Sequence, residues 1–272
     1  MQDQRVAIVT GASRGIGRAT AVAFARGGYA VVLAARGRNE LTQAAGQCRA
    51  AAPAAEAIAV PTDVSKQDQV EALVAQTLER FGRIDVLVNN AGFGVHARVH
   101  ETDEQDLREI TEANFYGVFY GCKAAAPVMI RRRSGHIFNV SSVIGRRGTP
   151  FNGAYCATKA AVIALTEAMR VEMIPHGVHV TSVLPGLTET EFFERVRGGS
   201  SLHKTSFARI RGLMPPEKVA RRIVRTVGRN KPELVFSLGG KLLIWVHHRF
   251  PRLADRMMKY YHDDLMRKKD EI

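Results

Sequence analysis

Tyr155 and Lys159 stand four residues apart in a helix-length stretch, Gly153–Ile174, so one helical face carries a phenol and an ammonium together. A free tyrosine titrates at about 10, and an adjacent cation favours the phenolate, bringing the group toward the range where it exchanges a proton with a carbonyl oxygen or an alcohol. Such a pair arises by chance in many helices. Ser142 changes its meaning, because this hydroxyl follows the apolar run His136–Val140, at the strand end where an open parallel sheet binds its ligands.

A second group of residues points to a phosphorylated ligand. The string Thr10-Gly11-Ala12-Ser13-Arg14-Gly15-Ile16-Gly17 directly follows the apolar run Val6–Val9 and opens the stretch Gly15–Arg26. Glycines at 11, 15 and 17 permit a tight turn and close backbone approach to a pyrophosphate, whose charge meets free N–H groups and the positive end of the helix dipole. At a strand-to-helix junction the string reads as a nucleotide cradle. An acid about 20 residues further on would hold the adenosine ribose hydroxyls. The chain has Ala34-Ala35-Arg36 there. With no carboxylate to repel it, a 2′-phosphate is expected between Arg36 and Arg14, and NADP(H) is the expected cofactor.

These side chains need a frame. Short Val/Ile-rich runs at Val6–Val9, Ala30–Ala34, Ala57–Val60, Ile84–Val88, His136–Val140 and Val178–Leu184 alternate with helix-length stretches. The stretches are Gly15–Arg26, Asn39–Ala50, Lys66–Phe81, Glu104–Arg131 and Gly153–Ile174. The runs lack polar alternation, as strands buried on both faces do, so the pattern predicts one α/β domain: a Rossmann-type, doubly wound parallel sheet with helices on both faces. Glu233–Phe236 is the expected seventh strand, after a helix begun at Pro215-Pro216-Glu217. The domain then spans 1–236, with 187–216 as a mobile substrate loop and 237–272 as an aromatic, basic, helical extension.

Composition narrows the classes. A chain of 272 residues that is 46% hydrophobic and 24% charged is not disordered and needs no disulfide staples. Cys48, Cys122 and Cys156 form no CxxC pair, and the histidine pairs lack cysteine or acidic companions, so no metal site is expected and a reducing, cytoplasmic compartment fits. No leader is read before Val6, and Leu234–Val246, broken by Gly239-Gly240 and Lys241, is too short for a membrane span. The net charge of +13 attracts polyanions, but the arginines lack interleaved aromatic residues, so nucleic acid is not the expected partner.

Over residues 5 to about 236 the order and spacing of motifs resemble the classical short-chain dehydrogenases/reductases. The matching parts are the glycine string, Asp63-Val64, Asn89-Asn90-Ala91-Gly92, Asn114, Ser142, Tyr155-xxx-Lys159 and Pro185-Gly186-Leu187-Thr188-Glu189-Thr190. The resemblance implies hydride transfer between nicotinamide and a carbonyl or alcohol carbon, with Tyr155 as general acid/base and Ser142 hydrogen-bonding the substrate oxygen. It implies that Lys159 lowers the tyrosine pKa and holds the nicotinamide ribose, while Asn114 anchors a water of a proton relay. Asp63 and Val64 would contact adenine, and Asn90, Ala91 and Gly92 the adenosine and ribose. Pro185, Gly186, Thr188 and Thr190 would hold the carboxamide and a phosphate. A homodimer or homotetramer through the long helices is implied as well.

The resemblance implies that Phe93, Val95, Phe151, Phe192, Phe193 and Leu202 border the pocket, which suits a lipophilic substrate. The extension reads either as an interfacial helix on anionic lipid or as a cover over the cleft or a neighbouring subunit. Two alternatives stand beside the carbonyl/alcohol reading. One is a 3-oxoacyl-thioester reductase, whose acidic carrier suits the basic surface. The other is a non-catalytic NADP(H)-binding scaffold or sensor.

Overall fold

Strand β1 (Val6–Thr10) is buried at every position, as its unbroken apolar run requires. The computed structural model describes residues 4–192, 194, 196–198 and 213–269. Around β1 lie β2 (Ala30–Ala35), β3 (Ala57–Pro61), β4 (Val86–Asn89), β5 (Gly135–Val140), β6 (Val178–Leu184) and β7 (Glu233–Val235). The order is β3-β2-β1-β4-β5-β6-β7 with every neighbouring pair parallel, which is the predicted doubly wound, Rossmann-type sheet. Winding reverses between β1 and β4, so the crevice at their carboxyl ends is the place for a ligand.

Two cores sandwich the sheet. On one face α1 (Gly15–Arg26), α2 (Arg38–Ala51) and α7 (Pro216–Thr226) bury Phe24, Leu41 and Ile223. On the other, α3 (Gln67–Phe81), α5 (Gly117–Arg132) and α6 (Gly153–Met173) bury Leu73, Met129 and Val162. Asn89 and Asn139, paired in register on β4 and β5, exchange a 2.9 Å side-chain bond, and Asn139 donates onward to Thr166 of α6 at 3.0 Å. This buried polar tie fixes α6 over the strand ends.

The single helix expected over Glu104–Arg131 is broken. A π-helical turn, Glu112–Tyr116, separates α4 (Glu104–Thr111) from α5. The wider turn changes which residue points inward, and Asn114 ends up with no solvent exposure. The turn Glu112-Ala113-Asn114-Phe115-Tyr116 contains no proline or glycine to mark a break, which explains the miss.

After β7 the chain forms α8 (Leu238–Arg249) and α9 (Pro251–Lys269). Leu243 and Ile244 of α8 pack on Val143, Ile163, Leu184 and Val235, beside the carboxyl edge of the sheet. The segment 187–216 is held at its described ends. Thr188 bridges Met214, and Arg197 exchanges backbone bonds with Gly94 and His96 at 3.0 and 2.8 Å. The middle of that segment, including Phe193 and Leu202, lies outside the described residues. Among the described residues no helix is long and apolar enough to cross a membrane.

Candidate active site

A cavity of about 1880 Å³ opens along the carboxyl ends of β1, β4, β5 and β6. Its floor at one end is the glycine turn after β1. Gly11 adopts a left-handed φ of +63°, and a Cβ on Gly17 would stand 2.2 Å from the Gly11 carbonyl oxygen, so neither position accepts a side chain. The α1 N-cap, Arg14, makes no side-chain capping bond, and no acid sits in the first turn. The first N–H groups of α1 therefore lack a side-chain partner within the helix, which is the condition for holding an anion.

The structure brings most of the expected residues to this cavity. Gly11, Ser13, Arg14, Gly15, Ile16, Arg36, Asp63, Val64, Asn90, Ala91 and Gly92 line one side, and Pro185, Gly186, Thr188 and Thr190 another. Gly17 lies beneath the turn and acts by letting it close. Thr190 reaches over the turn, its Cγ2 3.0 Å from where a Gly15 Cβ would be. Asn90 braces the same turn, donating to the carbonyls of Thr10 and Gly11 at 2.9 and 3.3 Å. The cradle, the free helix start and a trough long enough for an extended ligand fit a dinucleotide.

One expectation at the adenosine end is modified. The sequence places no acid at the end of β2, yet Glu40 of α2 swings back into the cavity and forms an ion pair with Arg14 at 3.1 Å. Arg36 and Lys66 line the cavity there too. The carboxylate comes from one helical turn beyond Arg36, beyond the reach of the strand-end rule that reads the sequence.

Ser142, Tyr155 and Lys159 converge on the cavity's opposite end, below Pro185 and Gly186. Ser142 is extended and stands two residues past the end of β5, while Tyr155 and Lys159 project from the first turns of α6. Tyr155 accepts a hydrogen bond from Ser142, which favours the phenolate, but burial dominates and pushes the phenol well above its ordinary range. Burial acts the same way on Lys159, bringing its ammonium down to about 8. Lys159 Nζ donates to the Val140 carbonyl at 2.9 Å and lies 5.7 Å from the Tyr155 ring centre. Burial is thus the largest influence on both groups.

Asn114 does not line the cavity. Its amide is fixed on the Phe93 backbone, accepting from N–H and donating to the carbonyl at 2.9 Å each, and donating to Thr158 at 3.3 Å. It still stands behind the lysine: a Cβ on Gly92 would lie 2.7 Å from Asn114 Oδ1 and 3.6 Å from Lys159 Nζ.

Among the expected apolar lining residues, Phe93 and Phe192 face the cavity, and Phe192 meets the Tyr155 ring edge-on at 5.7 Å. Val95 is instead buried with Ile110 and Ala154 in a small core. Phe151, at a left-handed φ of +63°, lies outside the cavity, stacked between His96 and His262. The residues missed by sequence come from the extension. Leu243, Met257, Met258, Tyr261 and Asp264 wall the cavity on the side facing Tyr155. Arg147–Asp255 at 2.6 Å and the Phe151–His262 stack at 5.3 Å hold α9 there. Such residues carry no motif, and only the length of chain past β7 signals that something must cover the cleft.

The sequence family described as short chain dehydrogenase matches residues 5–200. A 3-oxoacyl-[acyl-carrier-protein] reductase of Synechocystis is 38% identical over 216 residues, 79% of this chain and 86% of its own. Among solved structures, an alcohol dehydrogenase of Thermococcus sibiricus complexed with 5-hydroxy-NADP aligns with a TM-score of 0.75 and 33% identity, over 86% of this chain and 96% of that one. A short chain dehydrogenase/reductase of Burkholderia phymatum in complex with NAD aligns with a TM-score of 0.82 and 28% identity, over 93% and 95%. With a seven-stranded parallel sheet and the motif order of the sequence, these matches place the chain in the short-chain dehydrogenase/reductase family of oxidoreductases.

Proposed function

We propose that the chain is an NADP(H)-dependent oxidoreductase that moves a hydride between nicotinamide and the carbonyl or alcohol carbon of a lipophilic small molecule, with Tyr155 as general acid/base. The observation that carries this reading is the meeting of Ser142, Tyr155 and Lys159 at the end of a cavity whose other end is a glycine cradle. Arg14, Arg36 and Lys66 at the adenosine end support the phosphorylated form of the cofactor.

When bound, the dinucleotide supplies or accepts the hydride. The chain's own residues manage the proton. Burial keeps Tyr155 protonated at neutral pH, so its hydroxyl donates to the substrate oxygen as negative charge develops there. The Ser142 hydroxyl hydrogen-bonds the same oxygen and holds it at Tyr155. Lys159, brought to about 8, exchanges its proton near neutral pH and replaces the one Tyr155 gives up. Asn114 keeps the Phe93 backbone and the lysine's surroundings in place. Phe93, Phe192, Met257, Met258 and Tyr261 give the substrate end an apolar and aromatic wall, which supports a lipophilic substrate.

A homodimer or homotetramer through α5 and α6 belongs to this reading, since Tyr116, Phe119, Val171 and Ile174 stay exposed at or beside those helices. A cytoplasmic location fits three buried free thiols. The test is consumption of NADPH with a panel of ketones, followed by loss of reduced-nicotinamide absorbance. Tyr155→Phe is expected to lower kcat by roughly 10²–10⁴ with NADPH affinity unchanged. A wild type silent toward every ketone, or a fully active variant, overturns the reading. The Synechocystis relative favours a second one, reduction of a 3-oxoacyl thioester. A kcat/KM for acyl thioesters far above that for free ketones would select it.

A further inference from the structure

The outer surface of α8 and α9 has a composition unlike the rest of the described surface. Leu238, Leu242 and Trp245 repeat at i, i+4, i+7 along α8, and Leu253, Met257 and Tyr260 do the same along α9, with Phe250 at the junction. All seven are exposed, Leu238 at 84% and Trp245 at 57%. They include more than half of the large exposed apolar side chains among the described residues. A soluble surface does not ordinarily gather them in one place.

This face has no second side to fold onto. Val246, Ala254 and Leu265 already bury the inner faces, and Asp255–Arg147 with His262–Phe151 fix the helices on the domain. Among the apolar residues stand Lys241, Arg249, Arg252 and Arg256, while of the three acids of α9 Asp255 pairs with Arg147, Asp263 with Lys259 and His262, and Asp264 lines the cavity. Arg249 lies 5.4 Å over the Phe250 ring, whose edge meets Trp245 at 5.7 Å. Aromatic rings interleaved with cations suit the boundary between acyl chains and anionic headgroups. A second copy would bring the same cations face to face, which opposes self-association through this surface. Leu238, Arg256, Met257 and Tyr260 are at once exposed and part of the cavity wall, so the apolar face runs into the mouth of the active site.

We propose that the outer face of α8 and α9 docks on an anionic lipid bilayer and seats the cavity mouth at headgroup level, so that a lipid-dissolved carbonyl or alcohol enters without crossing bulk water. The delivery step rests on the oxidoreductase reading above; the docking does not. Trp245 is the only tryptophan of the chain and reports directly on its surroundings. The full-length protein is titrated with vesicles of phosphatidylcholine alone and of phosphatidylcholine with phosphatidylglycerol, while tryptophan emission and co-sedimentation are followed.

A blue shift and quenching by brominated acyl chains are expected with the anionic vesicles, weakening as salt is raised. The double variant Leu242→Glu/Leu253→Glu, both at exposed positions outside the cavity, is expected to lose vesicle affinity by at least roughly tenfold with its circular dichroism unchanged. Three results would each overturn the proposal: no spectral change with anionic vesicles at low salt, undiminished binding by the double variant, or a Trp245 already shielded in a dimer and indifferent to lipid. A shift produced by an acidic acyl-carrier protein and not by vesicles would likewise transfer the surface to a protein partner. Neither readout involves turnover, so failure of docking and failure of the Tyr155 chemistry are separately visible.

Discussion

Replacing Glu40 by glutamine isolates the electrostatics of the adenosine end. In the structure the Glu40 carboxylate holds the Arg14 guanidinium at 3.1 Å, with both side chains partly exposed. An ion pair of that kind contributes only about 0–1 kcal/mol, so Glu40→Gln should barely change stability. Binding of a 2′-phosphate is another matter. If the cofactor carries the proposed 2′-phosphate, Arg14 would hold it from the side opposite Glu40; at a separation of about 6 Å the repulsion would be roughly 1 kcal/mol at the dielectric of water, about halved by physiological salt. Releasing Arg14 also strengthens its own bond to the phosphate, since a hydrogen bond to a charged group is worth about 1.5–3 kcal/mol when not shared. Together these give a net gain of about 1–2 kcal/mol, or roughly 5–30-fold tighter NADPH. NADH lacks the phosphate, and its affinity should stay within about twofold. Titration calorimetry with both cofactors measures the difference directly, and the NADPH gain should shrink at high salt. Equal shifts for the two cofactors, or none for NADPH, would refute the placement of the 2′-phosphate between Arg14 and Arg36.

Gly17→Ala places a methyl 2.2 Å from the Gly11 carbonyl oxygen, so the turn must open; dinucleotide affinity should fall roughly 10–100-fold in the same titration, while Gly46→Ala, which meets nothing within 4 Å, should leave it unchanged. His136 predicts acid sensitivity. It is buried, accepts from the Gly228 N–H and bonds Thr181 at 2.8 Å, and burial brings its pKa down to about 3. The unfolded chain therefore binds a proton near the ordinary 6.5 that the fold refuses, and stability falls as pH drops below that value, by about 2 kcal/mol by pH 5. Denaturant melts of His136→Gln at pH 7 and pH 5 should show that loss reduced, and an unchanged pH dependence would rule out the histidine as its source.

The glycine cradle, the parallel doubly wound sheet and the meeting of Ser142, Tyr155 and Lys159 at one cavity were legible in the sequence because each rests on local chemistry. Gly11, Gly15 and Gly17 sit at a strand-to-helix junction, and parallel strands buried on both faces must be apolar throughout. Three features were hidden for physical reasons. The π turn at Glu112–Tyr116 carries no proline or glycine to announce it, so the inward rotation of Asn114 has no local signature. Glu40 is four residues past Arg36, and only the return of α2 over the cleft brings it to Arg14. The residues of α9 serve two environments, cavity wall and open surface, so Met257, Met258, Tyr260 and Tyr261 form an apolar run that reads equally as lid or interfacial helix.

If Tyr155 is the general acid/base proposed above, the burial of Tyr155 and Lys159 also fixes how the reaction responds to pH. Oxidation of an alcohol releases a proton, so the equilibrium moves about tenfold per pH unit toward the ketone whatever the protein does. What the site controls is which direction's rate carries that change. Reduction needs Tyr155 protonated, and burial holds it so well above neutrality; oxidation needs it to accept a proton, a state that grows with pH over the same range. With Tyr155 in that proposed role, the pH dependence falls on oxidation: kcat/KM for the alcohol should rise steadily between pH 6 and 9, while that for the ketone stays level at least to the region of the Lys159 value, about 8. If the ammonium governed the tyrosine and drew it down to near 7, reduction would fall above neutrality and oxidation would level off. Initial rates in both directions across that range, with one ketone and its alcohol, separate the two cases, and a ketone rate that declines tenfold per unit from pH 7 would mean that charge, and not burial, sets the proton affinity of the phenol.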